Sequence, residues 1–208
     1  MRGDGLEHAH PRPRRQAQRV AAALRHGEGA LGGFVVEGGR RPGATEPAPL
    51  LVRHAMPDEW RCVLVIPAAE PGLSGGPEEA AFADLDADAA RSAEIAQLVL
   101  TALLPALVER DLAEFGAALS RVQRLVGDSF APVQGGTFHP QAGPLVDALL
   151  RLGAAGAGQS SWGPAVYGVV GSEQQGQEIV RGLEVELAAG GRAEVVRFDN
   201  HGARVEVA

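Results

Sequence analysis

The chain has 208 residues, 45% of them apolar and 4% aromatic, a composition for a globular core of Leu, Val and Ala that excludes a disordered polymer. All 19 basic residues are Arg, so chemistry that needs a lysine amine, such as a Schiff base or a phosphate-loop lysine, is excluded. Net charge is −7 but uneven: residues 1–41 hold eight Arg against four acids, the remainder eleven against twenty-two, leaving an acidic body that repels nucleic acid.

Residues 1–29 read as a basic flexible extension in which Arg12, Arg14, Arg15, Arg19 and Arg25 alternate with Gln and Ala. Met1–Pro13 has no apolar stretch of the secretory type. Phe34–Glu37, flanked by Gly32-Gly33 and Gly38-Gly39, is predicted as a short strand, and Arg40–Pro49 as a loop. Trp60–Ile66 is nearly continuous in apolar residues, as expected of a central strand buried on both faces. It holds the lone Cys62, which fits a reducing, cytoplasmic location and a structural thiol. Pro77 opens a helix with Glu78 and Glu79 in its first turn. Ala87–Arg110 repeats apolar residues at helical spacing and reads as a helix kinked or split at Pro105, and its longest apolar run, around Ile95–Val108, is too short for a membrane span and reads as buried. Asp111–Gly127 repeats apolar residues at helical spacing and stops on glycine. Pro144–Leu152 is a shorter helix. After a glycine-rich loop come a strand at Ala165–Val170, a helix near Glu173–Ala189, and strands at Arg192–Phe198 and Ala203–Val207.

Gly153–Gly163, of sequence GAAGAGQSSWG, is the most informative stretch. Glycines at 153, 156 and 158 permit positive φ and close backbone approach to a ligand. Successive amides in such a turn can form an anion nest, with Gln159, Ser160 and Ser161 as neutral donors. The alternative is a tight structural connection between helix and strand. No Gly-Lys-Ser/Thr ending of a nucleoside-triphosphate P-loop is present.

Gly156-x-Gly158-x-Ser160-Ser161 followed by Gly163-Pro164 resembles the third motif of the galactokinase, homoserine kinase, mevalonate kinase and phosphomevalonate kinase (GHMP) superfamily. Gly32–Gly39, Gly72-Leu73-Ser74-Gly75, Phe130–Phe138 and Gly156–Pro164, in that order, are similar to β-ribofuranosylaminobenzene 5′-phosphate synthases over roughly residues 30–208. The resemblance implies an α/β (α+β) fold, the GHMP-like C-terminal ferredoxin-like two-layer domain, with a mixed sheet covered by helices and a remnant of the preceding domain. It also implies a transferase of tetrahydromethanopterin-type biosynthesis. Such enzymes join the ribosyl phosphate of phosphoribosyl pyrophosphate to a 4-substituted benzoate, with loss of pyrophosphate and CO2. Mg2+ accompanying the pyrophosphate is the only cofactor expected, and a homodimer is compatible.

By the same resemblance, Gly156, Gly158, Gln159, Ser160, Ser161, Trp162 and Gly163 are candidates for phosphate or substrate binding. Gln134, Gly135, Gly136, His139 and Arg40 are candidates for lining the substrate. His139 has a structural loop role as its alternative, and Arg40 with Arg41 either receives a carboxylate through forked hydrogen bonds or is exposed loop charge. Trp162 either stacks on an aromatic ring or packs beneath the loop. No Pro-rich Gly-Leu-Gly-Ser-Ser string, the principal phosphate loop of complete members, occurs in the chain. The third motif would then act as a buttress, and the expectation is half an enzyme. Two other functions stay open, an ATP-dependent small-molecule kinase of the superfamily and a non-catalytic half-module that needs a partner. The scattered histidines and Asp84, Asp86 and Asp88 match no metal-site spacing. The expected partners are small molecules, with neither nucleic acid nor membrane.

Overall fold

In chain order the elements are β1 (Phe34–Glu37), β2 (Leu50–His54), β3 (Arg61–Pro67), α1 (Gly76–Ala83), α2 (Ala89–Glu109), α3 (Leu112–Gln134), α4 (Ala142–Arg151), β4 (Gly156–Gln159), β5 (Val166–Val170), α5 (Glu173–Gly182) and β6 (Gly191–Arg197). This computed structural model describes residues 31–39, 48–70, 72–73, 75–83, 85, 88–188 and 190–202. The expected extension 1–29, Arg40 and Arg41, and the last strand over 203–207 lie outside the described residues. The chain divides into two units, Met1–Met56 with Asp199–Ala208, and Pro57–Phe198.

In the first unit β1 pairs antiparallel with β2, Phe34 opposite His54 and Val36 opposite Val52. β2 was not expected from the sequence, because Leu50-Leu51 followed by Arg53-His54 shows no alternation. The pair is held by two side chains. Arg53 donates to the carbonyls of Leu31, Gly32 and Asn200 at 2.7–3.1 Å. The Asn200 amide accepts from Met56 N and donates to Met56 O, 2.8 and 2.9 Å. Gly32 and Gly33 take φ of +63° and +79°, and a Cβ on Gly32 would overlap the backbone at Asn200–Gly202.

In the second unit the strand order is β4-β5-β3-β6. Every pairing is antiparallel, where a mixed sheet was expected. β3 is central, as its apolar run requires, with Val63 and Val65 fully buried. α4 supplies Leu145 and Leu149, α5 supplies Ile179, and Leu183 follows just after α5, to the core formed with Val63, Val65, Val166 and Val170. β3 begins at Arg61, whose buried guanidinium bonds Glu173 at 2.9 Å and the carbonyls of Asp58 and Trp60.

Two helices differ from the sequence reading. α2 is one 21-residue helix, long and apolar enough by length and composition to cross a membrane, and only 17% of its most apolar window is buried. The helix expected over Ala87–Arg110 is therefore present, but its apolar run, expected to be buried and too short for a span, is mostly not buried, and the helix is long enough by length and composition. The helix continues through Pro105: the preceding turn, Val99–Leu103, is π-helical, and Leu104 N–H bonds Val99 O. That wider turn absorbs the amide hydrogen that proline lacks. α3 begins at Asp111, whose carboxylate caps Glu114 N at 3.1 Å, and runs past Gly127 to Gln134, ending on Gly135 at φ +83°. Gly127 is a packing glycine instead of a stop, because a Cβ there would overlap Thr137 O.

Candidate functional site

The stretch read as an anion loop is, over Gly156–Gln159, a fully buried edge strand. Of Gly153, Gly156 and Gly158 only Gly153 has positive φ, +102°. The other two are glycine for closeness: a Cβ on Gly156 would overlap Gly116 O, and one on Gly158 would overlap the Gln123 side chain. The outward amides of the edge are occupied. Ala157 N donates to Ser120 Oγ at 3.1 Å and Gln159 N to Gln123 Oε1 at 3.0 Å. Ser120 and Gln123 stand three apart on α3, hence on one face. The helix thus completes the strand edge, and these amides form no nest.

Gln159 is the hub of the region and is 6% exposed. Its Oε1 accepts from His139 N at 2.7 Å, and its Nε2 donates to Gln134 Oε1 at 3.1 Å and Ser161 O at 2.8 Å. Gln134 Nε2 in turn donates to the carbonyls of Gly136 and Thr137, both at 2.9 Å. The two amides satisfy each other and clamp three backbone segments: the end of α3, the turn to α4, and the β4–β5 connection. A buried network with every member paired is rigid.

The β4–β5 connection is a tight turn, with Ser160 N bonded to Ala165 O and Gly163 N to Ser160 O, both at 2.9 Å. Ser161 sits at φ +48° and its hydroxyl donates to Glu78 Oε1 at 3.2 Å. Trp162, 2% exposed, stacks on Phe130 at 4.2 Å and 13°, with Phe82 edge-on at 5.4 Å. It packs beneath the turn and offers no open face to a ligand. Gly72 lies directly against Trp162 and Gly163, and Gly72 N donates to Gly163 O at 3.2 Å.

Three stretches far apart in sequence therefore meet where β3 and β4 end and β5 begins. Beside them lies a cleft of about 380 Å³ lined by Gly72, Leu73, Val133, Gln134, His139, Pro140 and Trp162. A second cavity of about 110 Å³ lies among Gln123, Phe130, Thr137, Phe138, Gln159 and Ser161. Of the candidates from the sequence, Gln134, His139 and Trp162 line the larger cleft. Gln159 and Ser161 line the smaller. Gly156 and Gly158 lie in the strand; Ser160 and Gly163 close the turn, and Gly135 and Gly136 end α3. Arg40 lies outside the described residues. Sequence reasoning missed Gly116, Ser120, Gln123, Glu78 and Phe82. The signal for Ser120 and Gln123 was available: two polar residues inside the apolar stripe Phe115, Leu119, Val122, Val126 of α3.

Electrostatically, no arginine lines either cavity among the described residues, and the carboxylates of Glu78 and Asp128 bond Ser161 and Thr137. His139 is the one titratable side chain among the described residues of the larger cleft, and Arg61 stands at the far end of β3. No group of three or more His, Cys, Asp or Glu among the described residues could hold a metal ion. Burial pushes the Cys62 thiol up to about 11, which keeps it protonated and unreactive. The Tyr167 hydroxyl is raised too, by burial and then by Cys62, partly offset by its hydrogen bond with Gln123.

A four-stranded antiparallel sheet backed by α4 and α5, with α3 bracing its edge strand, is the C-terminal domain of the GHMP kinases. The family model described as GHMP kinases C terminal matches residues 103–187. Among solved structures, L. major mevalonate kinase in complex with R-mevalonate aligns with TM-score 0.59 and 18% identity, over 92% of this chain and 54% of that one. Homoserine kinase from Cytophaga hutchinsonii aligns with TM-score 0.56 and 19% identity, over 84% and 51%; at these identities the likeness is one of fold. More specific is the similarity to β-ribofuranosylphenol 5′-phosphate synthases. The protein of Methanothermobacter thermautotrophicus is 30% identical over 83% of this chain and 54% of its own length. That of Archaeoglobus fulgidus is 36% identical over 85% and 57%. Over most of its length the chain is similar to the β-ribofuranosylaminobenzene 5′-phosphate synthase family of the GHMP superfamily, and residues 103–187 match the C-terminal family of the GHMP kinases. It spans about half the length of the curated relatives it matches.

Proposed function

We propose that this chain is the substrate-bracing portion of a transferase that joins phosphoribosyl pyrophosphate to a 4-substituted benzoate. In that reaction the ring carbon bearing the carboxylate attacks the anomeric carbon as pyrophosphate departs. The C–CO2 bond then breaks, its electron pair restoring aromaticity and CO2 leaving. The observation that carries the reading is the similarity to named synthases across more than four-fifths of the chain, joined to the meeting of three family-like stretches around Gln159. The name of those relatives favours a 4-hydroxylated acceptor. The protein would work in a reducing cytoplasm, as the protonated Cys62 suits.

The occupied amides of β4 favour bracing over phosphate binding for Gly156–Gln159. The departing pyrophosphate needs positive charge, which the described residues around the cleft do not supply. Mg2+ would arrive with the pyrophosphate as part of the substrate, and residues beyond these would complete the site. The kinase alternative has the fold as its sole support.

The test is to incubate the chain with phosphoribosyl pyrophosphate and 4-hydroxybenzoate or 4-aminobenzoate and to measure released pyrophosphate and CO2. Both products in equal amounts bear the reading out for this chain alone. Products that form only when a segment carrying the missing phosphate loop is added identify the chain as a required half. Absence of product under both conditions overturns the transferase.

A further inference from the structure

The cleft beside Trp162 is walled by Leu73, Val133 and Pro140, with His139 as its titratable residue. Gln134 also lines it, but both of its amide atoms are committed, Nε2 to Gly136 O and Thr137 O and Oε1 to Gln159. Its volume of about 380 Å³ is that of a small-molecule pocket. A diphosphate ester carries several negative charges and needs paired cations, whereas a single ring with one carboxylate needs apolar walls and one or two donors.

The imidazole is held in a defined state. Gln141 N donates to His139 Nδ1 at 3.3 Å, so Nδ1 is the acceptor and the neutral ring carries its proton on Nε2. The backbone of the same residue is fixed by Gln159, His139 N to Gln159 Oε1 at 2.7 Å. The buried amide hub therefore fixes the backbone of His139, which lines the cleft.

We propose that this cleft binds the aromatic acid, with its ring between Leu73, Val133 and Pro140 and its polar group accepting from His139 Nε2–H, and that the phosphorylated sugar binds elsewhere. The choice of ligand rests on the transferase reading above; the choice of cleft rests on its walls and on His139.

The test uses the full chain and 4-hydroxybenzoate as probe, followed by titration calorimetry and by the His139 ring signals in NMR, assigned through their loss in His139→Ala. The His139 signals are expected to shift with 4-hydroxybenzoate and to stay in place with ribose 5-phosphate. His139→Ala and Val133→Glu should each weaken binding about tenfold or more while leaving the melting temperature unchanged; Val133 is 43% exposed, so its replacement is compatible with folding. Binding insensitive to both variants, a response of His139 to ribose 5-phosphate instead, or no binding of the acid would each overturn the assignment. Product release separates the two claims. Turnover with an unmoved His139 sinks the cleft alone, and a shifted His139 without turnover, both with and without the added phosphate-loop segment, sinks the transferase alone.

Discussion

Gln159 Nε2 lies 3.1 Å from Gln134 Oε1, joining the end of β4 to the last residue of α3 across 25 positions of sequence. Replacing Gln159 by Leu keeps the volume but strands His139 N, Ser161 O and Gln134 Oε1 in a buried place. The expected loss is about 2–4 kcal/mol, read as a lower urea midpoint. Glu at this position should be worse at neutral pH, since a carboxylate would face two oxygen acceptors. A Gln159→Leu chain as stable as the wild type would show that the amide hub does not hold these segments.

The two strand glycines should differ. Gly156→Ala meets the backbone of Gly116, which cannot move without displacing α3, and should cost about 3 kcal/mol. Gly158→Ala meets the Gln123 side chain, which can rotate away at the loss of its bond to Gln159 N, and should cost about 1–2 kcal/mol. Thermal unfolding of the two single variants checks the order.

Trp162 has no hydrogen-bond partner for its buried Nε1 among the described residues. Trp162→Phe then gives up area but no bond and should cost about 1 kcal/mol, with the stack on Phe130 largely kept. Trp162→Ala empties the space under the β4–β5 turn and should cost about 3–5 kcal/mol. A phenylalanine variant as damaged as the alanine one would show that the indole N–H is used.

The Cys62 thiol, raised from 9.0 to about 11 by burial, holds its proton more tightly in the folded chain. Its contribution to stability is complete below the unfolded value near 9.0 and is lost as pH rises through about 11. The Tyr167 hydroxyl is shifted the same way. Urea midpoints measured from pH 8 to 11 should fall, and fall less steeply for Cys62→Ala, by at most about 2 kcal/mol over that range. At pH 7–8 a thiol reagent should modify Cys62 no faster than the chain unfolds.

Much of the architecture can be read along the chain. The apolar run at Arg61–Pro67 marks the central strand, and the helical spacing of Phe115, Leu119, Val122 and Val126 marks α3. The Gln-Ser-Ser-Trp-Gly-Pro string marks the family. β4 was illegible because Gly-Ala-Gly carries no β-branched or aromatic side chain, so local propensity points to a loop. The end of α3 was misread for a related reason, since Gly127 looks like a stop wherever the neighbour that requires a glycine is unknown.

The order of residues by itself determined the family, the strand-forming runs, the absence of lysine chemistry and the stretches that matter. Only the tertiary structure decided what those stretches do, because their roles depend on partners far away in sequence. Whether an amide at Ala157 or Gln159 is free for an anion turns on Ser120 and Gln123, 37 and 36 residues upstream. Hydrogen-bond capacity belongs to a residue, but its occupation belongs to the fold.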